Sequence, residues 1–210
     1  MRNLFSSFLP PITQSQKPQK SMTLRECYEA IKSDGGLKSK TELVQRYKDP
    51  EAFRHKKVEL LPFVRPAGVF SGCHDDDLVS WSGFMPLDVD KLGSAEEAAA
   101  LRDKMSADDM FGDETLFFVS PSGKGVKGVV RWMPWIPDAD GGNAWSGSWD
   151  KAEERAKMKA AYREAFEMLV TYVEAVYGIP VDVSGKNIGR AMLLCHDEGA
   201  CFKTGEAMEK

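Results

Sequence analysis

The chain is poor in the features that assign a class at once. Its four cysteines, Cys27, Cys73, Cys195 and Cys201, form no C-x-x-C pair and match no zinc-module spacing. That excludes the common zinc folds and a disulfide scaffold, and the thiols read as reduced and structural. No stretch approaches the roughly 18 apolar residues of a membrane helix. Residues 1–20 hold neither a long apolar region nor a small-residue cleavage site. A cytoplasmic chain with no membrane partner is therefore the expectation. Basic charge is not in excess either: the formal net charge is −4, which excludes coating of nucleic acid by bulk electrostatics. There is no internal repeat, heptad or low-complexity tract.

What is present fits one α/β domain. With 210 residues, 42% hydrophobic and 29% charged, the chain can bury a core without staples. The charge is unevenly spread. Ser120 to Met133 contains Lys124, Lys127 and Arg131 without one acid, while acids gather at His74–Asp77, Asp88–Asp90 and Asp108–Glu114. That pattern suits an anion site beside a cation site.

Residues 1–21, with Pro10, Pro11 and Pro18, read as a flexible N-terminal arm, leaving 22–210 as the domain. Thr23 caps a helix carrying Leu24, Cys27, Tyr28 and Ile31, which ends before Gly35-Gly36. A second short helix is expected over Lys40–Tyr47, followed by a solvated basic run, Arg54-His55-Lys56-Lys57. Leu78 to Val89 is rich in β-formers. Ser94-Ala95-Glu96-Glu97 is a capping box opening a helix to about Ser106. Strands are expected at Thr115–Ser120, Val126–Met133 and Ala191–Cys195, with a Pro-Ser-Gly turn between the first two and a Trp-rich loop after the second. The strongest helix runs from about Asp150 to Tyr177. Met158, Tyr162, Ala165, Phe166, Leu169, Val173 and Val176 form its stripe, and Gly178 and Pro180 stop it.

Three constellations carry chemistry. In Leu87-Asp88-Val89-Asp90, strand alternation turns the apolar pair to the core and both carboxylates to the other face. Paired acids at a strand end repel and lose solvation, which a divalent cation relieves. In Ser120-Pro121-Ser122-Gly123-Lys124-Gly125-Val126-Lys127, glycines open the backbone to an anion and two lysines add charge, or the segment is a plain hairpin turn. It is not a Walker loop. In Asp182 to Arg190, an acid, a lysine, an amide and an arginine precede a buried strand, and an arginine there needs a fixed carboxylate or phosphate, or is a structural partner of Asp182 in a tight loop.

These segments, in order from Gly83–Asp90 through Ser-Pro-Ser-Gly-Lys-Gly-Val-Lys to Tyr177-Gly178, Asp182, Asn187, Arg190 and Cys195-His196-Asp197, resemble the VirE N-terminal domain family over roughly Ser21 to Phe202. That family is related to the archaeo-eukaryotic primase–polymerase superfamily. The resemblance implies an α+β fold: a small curved mixed or antiparallel sheet with flanking helices on one side and the acids on its open face. It implies catalytic and metal-binding roles for Asp88, Asp90 and Asp182, with Mg²⁺ or Mn²⁺. Ser122, Gly123, Lys124, Lys127 and Arg190 would hold a nucleoside triphosphate. The activity implied is metal-dependent nucleotidyl transfer on a DNA or RNA template, as a primase or polymerase module of a replication protein from a mobile element, with a helicase as partner.

Lys127 stands where the superfamily has histidine. Lysine holds phosphate as a point charge but offers no neutral imidazole. The alternative is therefore an inactive nucleotide- or nucleic-acid-binding module attached to a helicase or primase. A haloacid dehalogenase-type phosphatase is disfavoured by Lys91 after the acids. His74-Asp75-Asp76-Asp77 could ligate a metal but reads first as a solvated turn, and Trp132, Trp135, Trp145 and Trp149 read as loop anchors rather than base-stacking platforms. Cys195-His196-Asp197 is no thiol triad, because neighbours on a strand point to opposite faces.

Overall fold

The computed structural model describes residues 4–15, 17–132, 152–204 and 208–209. They form an α+β fold in which every paired strand is antiparallel. The strands are β1 (Phe5–Phe8), β2 (Lys20–Met22), β3 (Phe63–Arg65), β4 (Gly68–Phe70), β5 (Leu78–Trp81), β6 (Phe84–Val89), β7 (Thr115–Val119), β8 (Val126–Arg131), β9 (Met192–Leu193), β10 (Cys201–Lys203) and β11 (Met208–Glu209). The helices are α1 (Leu24–Ser33), α2 (Gly35–Gln45), α3 (Pro50–Leu60), α4 (Ala95–Ser106) and α5 (Ala152–Tyr177). One sheet has the order β11-β10-β7-β8-β6, a second β2-β1-β3-β9, and β4 pairs with β5.

Alternation in the five-stranded sheet sorts its side chains into two cores. Met85, Leu87, Val89, Phe117 and Val130 pack against α4 and α5. Phe84, Leu116, Phe118 and Val129 face the other way, onto α1 and the four-stranded sheet. The sheet is thus covered on both sides, and the expected open face exists only at one end. Asp88 and Lys127 belong to that second face, one pleat beyond its apolar residues. Pro86 interrupts no ladder, because β6 is the edge strand.

Local signals explain most element ends. Thr23 and Glu26 form a reciprocal capping box at α1. At α4, Ser94 accepts from the Glu97 N–H, but the Glu97 carboxylate reaches past the cap to the Gly93 N–H at 2.7 Å. The stripe of α5 is buried as expected through Val173, whereas Val176 is exposed. Gly178 ends the helix in the left-handed region, at φ +68°.

The structure corrects two expectations and sharpens two others. Residues 5–8 are not part of an arm: Phe5–Phe8 is fully buried between β2 and β3, and Ser6 is tolerated there because its hydroxyl accepts the Phe70 N–H at 2.9 Å. The first helix ends before Gly35-Gly36 as expected, but α2 starts at Gly35 rather than Lys40, since the Asp34 carboxylate caps it at the Leu37 N–H. The basic run lies on α3, started by Asp49 as cap and Pro50 in the first turn. The stretch 78–89 is two strands in two sheets, broken at Gly83 with φ +86°.

Candidate functional site

Asp88 sits one residue before the end of β6, directly opposite Lys127 on β8. The Lys127 ammonium forms an ion pair with Asp88 Oδ2, while Asp88 Oδ1 is buried with no hydrogen-bond partner. An unpaired buried carboxylate oxygen is costly and marks a place for a cationic or hydrogen-bonding guest. Burial pushes the Asp88 carboxyl above its ordinary range; the Lys127 charge opposes this, and Asp90 and Asp182 add to it. Asp90, just past the strand, is exposed.

Asp182 reaches the same place from the other end of the chain. Its N–H donates to the Asp88 carbonyl at 2.8 Å, tying the two segments together. Its carboxylate accepts from the Ser184 N–H at 2.9 Å and from Arg190 Nη2 at 3.1 Å. Desolvation would raise this carboxyl, but the hydrogen bonds from Ser184 and the charges of Arg190 and Lys127 hold it below its ordinary range. The turn that follows, Val183–Lys186, is anchored by α5. Tyr162 Oη donates to the Gly185 carbonyl at 3.0 Å, and the Phe166 ring lies where a side chain on Gly185 would have to go.

The β7–β8 hairpin closes the site from below. It is a hydrogen-bonded turn rather than an open anion cradle. The Gly123 N–H donates to the Ser120 carbonyl at 2.9 Å, and the Lys124 N–H donates to Ser122 Oγ at 3.2 Å. Those amides are therefore not free to meet a phosphate. Gly125 passes so close to the Val89 carbonyl that a Cβ would collide with it, which fixes the hairpin against Asp90.

Together these segments enclose a cleft of about 230 Å³. Asp88, Asp90 and Asp182 line it with Lys127, Arg190, Ser120 and Ser122. Gly123 and Lys124 are not among its lining residues, and Lys124 is exposed. Lys57, which the sequence reading left on a solvated surface, does line it. Burial pushes the Lys57 ammonium below its ordinary value, with Lys127 acting the same way and Asp90 and Asp88 against. No periodic signal pointed to Lys57, because α3 has no buried residue. The cleft thus sets three carboxylates against three cations in a small space, an arrangement that suits a phosphate ester carrying a divalent cation.

The remaining motifs have structural partners. Cys195 Sγ donates to the Val119 carbonyl at 3.1 Å, His196 Nδ1 lies 2.9 Å from the Ile31 carbonyl, and Asp197 binds Arg102. The three side chains therefore form no triad. Trp132 packs on Tyr172 with ring centroids 5.8 Å apart; Trp135, Trp145 and Trp149 lie outside the described residues. In the acidic stretch 108–114, Asp108 accepts from the hydroxyls of Tyr172 and Tyr177, both at 2.6 Å. No helix among the described residues is long and apolar enough to cross a membrane.

Comparison with curated proteins and with solved structures gave no match in either case. The sequence model of the BT4734-like N-terminal domain matches residues 55–202, a span that takes in Lys57, Asp88, Asp90, Lys127, Asp182 and Arg190. On that match, the chain belongs to the BT4734-like N-terminal domain family.

Proposed function

We propose that the cleft binds a nucleoside triphosphate together with Mg²⁺ or Mn²⁺ and carries out nucleotidyl transfer on a DNA or RNA template. The module would serve as the primase or polymerase part of a replication protein from a mobile element, working with a helicase. The observation that carries this reading is the unpartnered, buried Asp88 Oδ1 in a cleft that also holds Asp90, Asp182 and three cations. The resemblance of its motif segments to the VirE N-terminal family, and through it to the primase–polymerase superfamily, supports it.

The residues present fit a cation that arrives with its nucleotide. Mg²⁺ is commonly held by one or two carboxylates plus substrate phosphates, so Asp88 and Asp90 suffice, with Asp182 alongside. Such a cation supplies activation of the attacking 3′-hydroxyl and charge neutralisation on the departing pyrophosphate. Lys127, Lys57 and Arg190 meet the phosphate oxygens by charge, Ser122 offers a hydroxyl, and the hairpin fixes their spacing. Arg190 is steered by Asp182, so one wall orients the other.

A second reading is nucleotide binding without catalysis. The Lys127–Asp88 ion pair favours it, because an ammonium already neutralises the best-buried acid. Both readings share the binding step. Mn²⁺ with a nucleoside triphosphate should raise the melting temperature, by ~2.7 kcal/mol of stabilisation at a hundredfold excess over Kd. The Asp88→Asn, Asp90→Asn double variant should lose that shift while keeping its circular dichroism spectrum. An unchanged shift in the folded double variant would sink the assignment.

A further inference from the structure

A loop outside the cleft gathers a different set of donors. Gly72-Cys73-His74-Asp75-Asp76-Asp77 joins β4 to β5 and ends in a single 3-10 turn, Asp75–Asp77. Its backbone is held at several points. The Ser71 N–H donates to the Asp77 carbonyl at 2.8 Å, the Asp77 N–H to the His74 carbonyl at 3.1 Å, and the His74 N–H to Asp77 Oδ2 at 2.6 Å. From beneath, the guanidinium of Arg65, itself 8% exposed and set over the rings of Phe8 and Phe70, donates to the Cys73 carbonyl. So fixed, Cys73, His74 and Asp77 place one ligand atom each within 4.8 Å of one another. Among the described residues no other three histidine, cysteine or acidic side chains are grouped in this way.

We infer that Cys73, His74 and Asp77 form a binding site for a zinc-type divalent metal, Zn²⁺ or Co²⁺, separate from the nucleotide cleft. The donor chemistry selects the metal. A thiolate with an imidazole and a carboxylate suits Zn²⁺ and its neighbours, whereas Mg²⁺ and Mn²⁺ prefer oxygen alone. Metal–ligand bonds of 2.0–2.3 Å at tetrahedral angles put donor atoms ~3.5 Å apart, so side-chain rotations of about 1 Å close the set. Three protein ligands leave the fourth position to water. The acids at 75, 76 and 77 are matched by Arg65, Arg155 and Lys159, so it is the donor set of thiol, imidazole and carboxylate, not bulk charge, that would draw the ion. Cys73 and Asp75 also line a second cavity, of about 390 Å³, that meets the first at Arg190. The metal therefore stands beside the cleft rather than inside it.

The test is Co²⁺ titration of reduced, tag-free protein, followed by thiolate-to-cobalt charge-transfer absorption in the near ultraviolet. One equivalent should bind with that band, and Zn²⁺ should displace it. Cys73→Ser should abolish the band, and His74→Ala should weaken binding by at least the ~10-fold that loss of even an outer partner costs. Cys27, Cys195 and Cys201 are buried and give no band of their own. Asp88→Asn should leave the titration unchanged, which separates this site from the nucleotide reading. Absence of the band in folded wild-type protein, its survival in Cys73→Ser, or its loss in Asp88→Asn would overturn the inference.

Discussion

Asp197→Ala is expected to destabilise the domain by ~3–5 kcal/mol, the usual cost of removing one partner from a buried ion pair. Arg102 and Asp197 are only 10% and 12% exposed at their side chains, and Arg102 Nη1 donates to both carboxylate oxygens at 3.1 Å. The same carboxylate accepts from the Val119 N–H at 2.7 Å and the Gly199 N–H at 3.0 Å. Removing it strands two amides, leaves the guanidinium with Asp103 as its remaining carboxylate partner, and unties α4 from β7 and the 195–200 segment. In a domain of this length each kcal/mol lowers Tm by roughly 2–4 °C, so the fall should be on the order of 10 °C. Replacing both charges, Arg102→Met with Asp197→Leu, should recover part of the loss, since a packed apolar pair often equals a buried ionic one. A variant within 1 °C of wild type in a thermal melt would contradict this account of the network.

Lys127→Ala should have opposite effects on two ligands. The side chain is 10% exposed and paired with Asp88, so its loss removes a charged contact to phosphate and leaves a buried acid without its counter-ion. Nucleotide binding should weaken by ~1.5–3 kcal/mol, the worth of a hydrogen bond to a charged group. Mn²⁺ binding in the absence of nucleotide should tighten, because the competing ammonium is gone. The metal-free variant should melt below wild type and regain stability when Mn²⁺ is added. Lys127→His should keep nucleotide affinity near neutral pH. Isothermal titration with each ligand separately checks the pair of signs, and weaker Mn²⁺ binding in Lys127→Ala would show that Lys127 organises the acids instead of competing for them.

The acids of the cleft were readable because strand alternation leaves little choice. Once Leu87 and Val89 go inward, Asp88 and Asp90 share the other side, and both line the cleft. The meeting of Asp182 with Arg190 was also legible, since a buried strand preceded by an arginine demands a nearby partner. Lys57 was not legible. It sits on a helix with no buried face, and only the docking of α3 beside the hairpin brings it to Asp88 and Asp90. Gly123 and Lys124 were assigned too much, because the same glycine that opens a backbone to anions also permits a closed turn, and here the turn takes the amides. The β1 strand escaped notice because Phe-Ser-Ser-Phe lacks alternation. Its serines are tolerated in burial by hydrogen bonds, Ser6 with Phe70 and Ser7 with Lys20, which no local pattern reports.

Primer extension by the purified domain, with Mn²⁺ or Mg²⁺ on DNA and RNA templates, tests the nucleotidyl-transfer proposal most directly. Wild-type protein should extend a primer slowly, faster with Mn²⁺ than with Mg²⁺, and folded Asp88→Asn should not extend it at all. No extension by wild type under any of these conditions, or equal extension by Asp88→Asn, would contradict it.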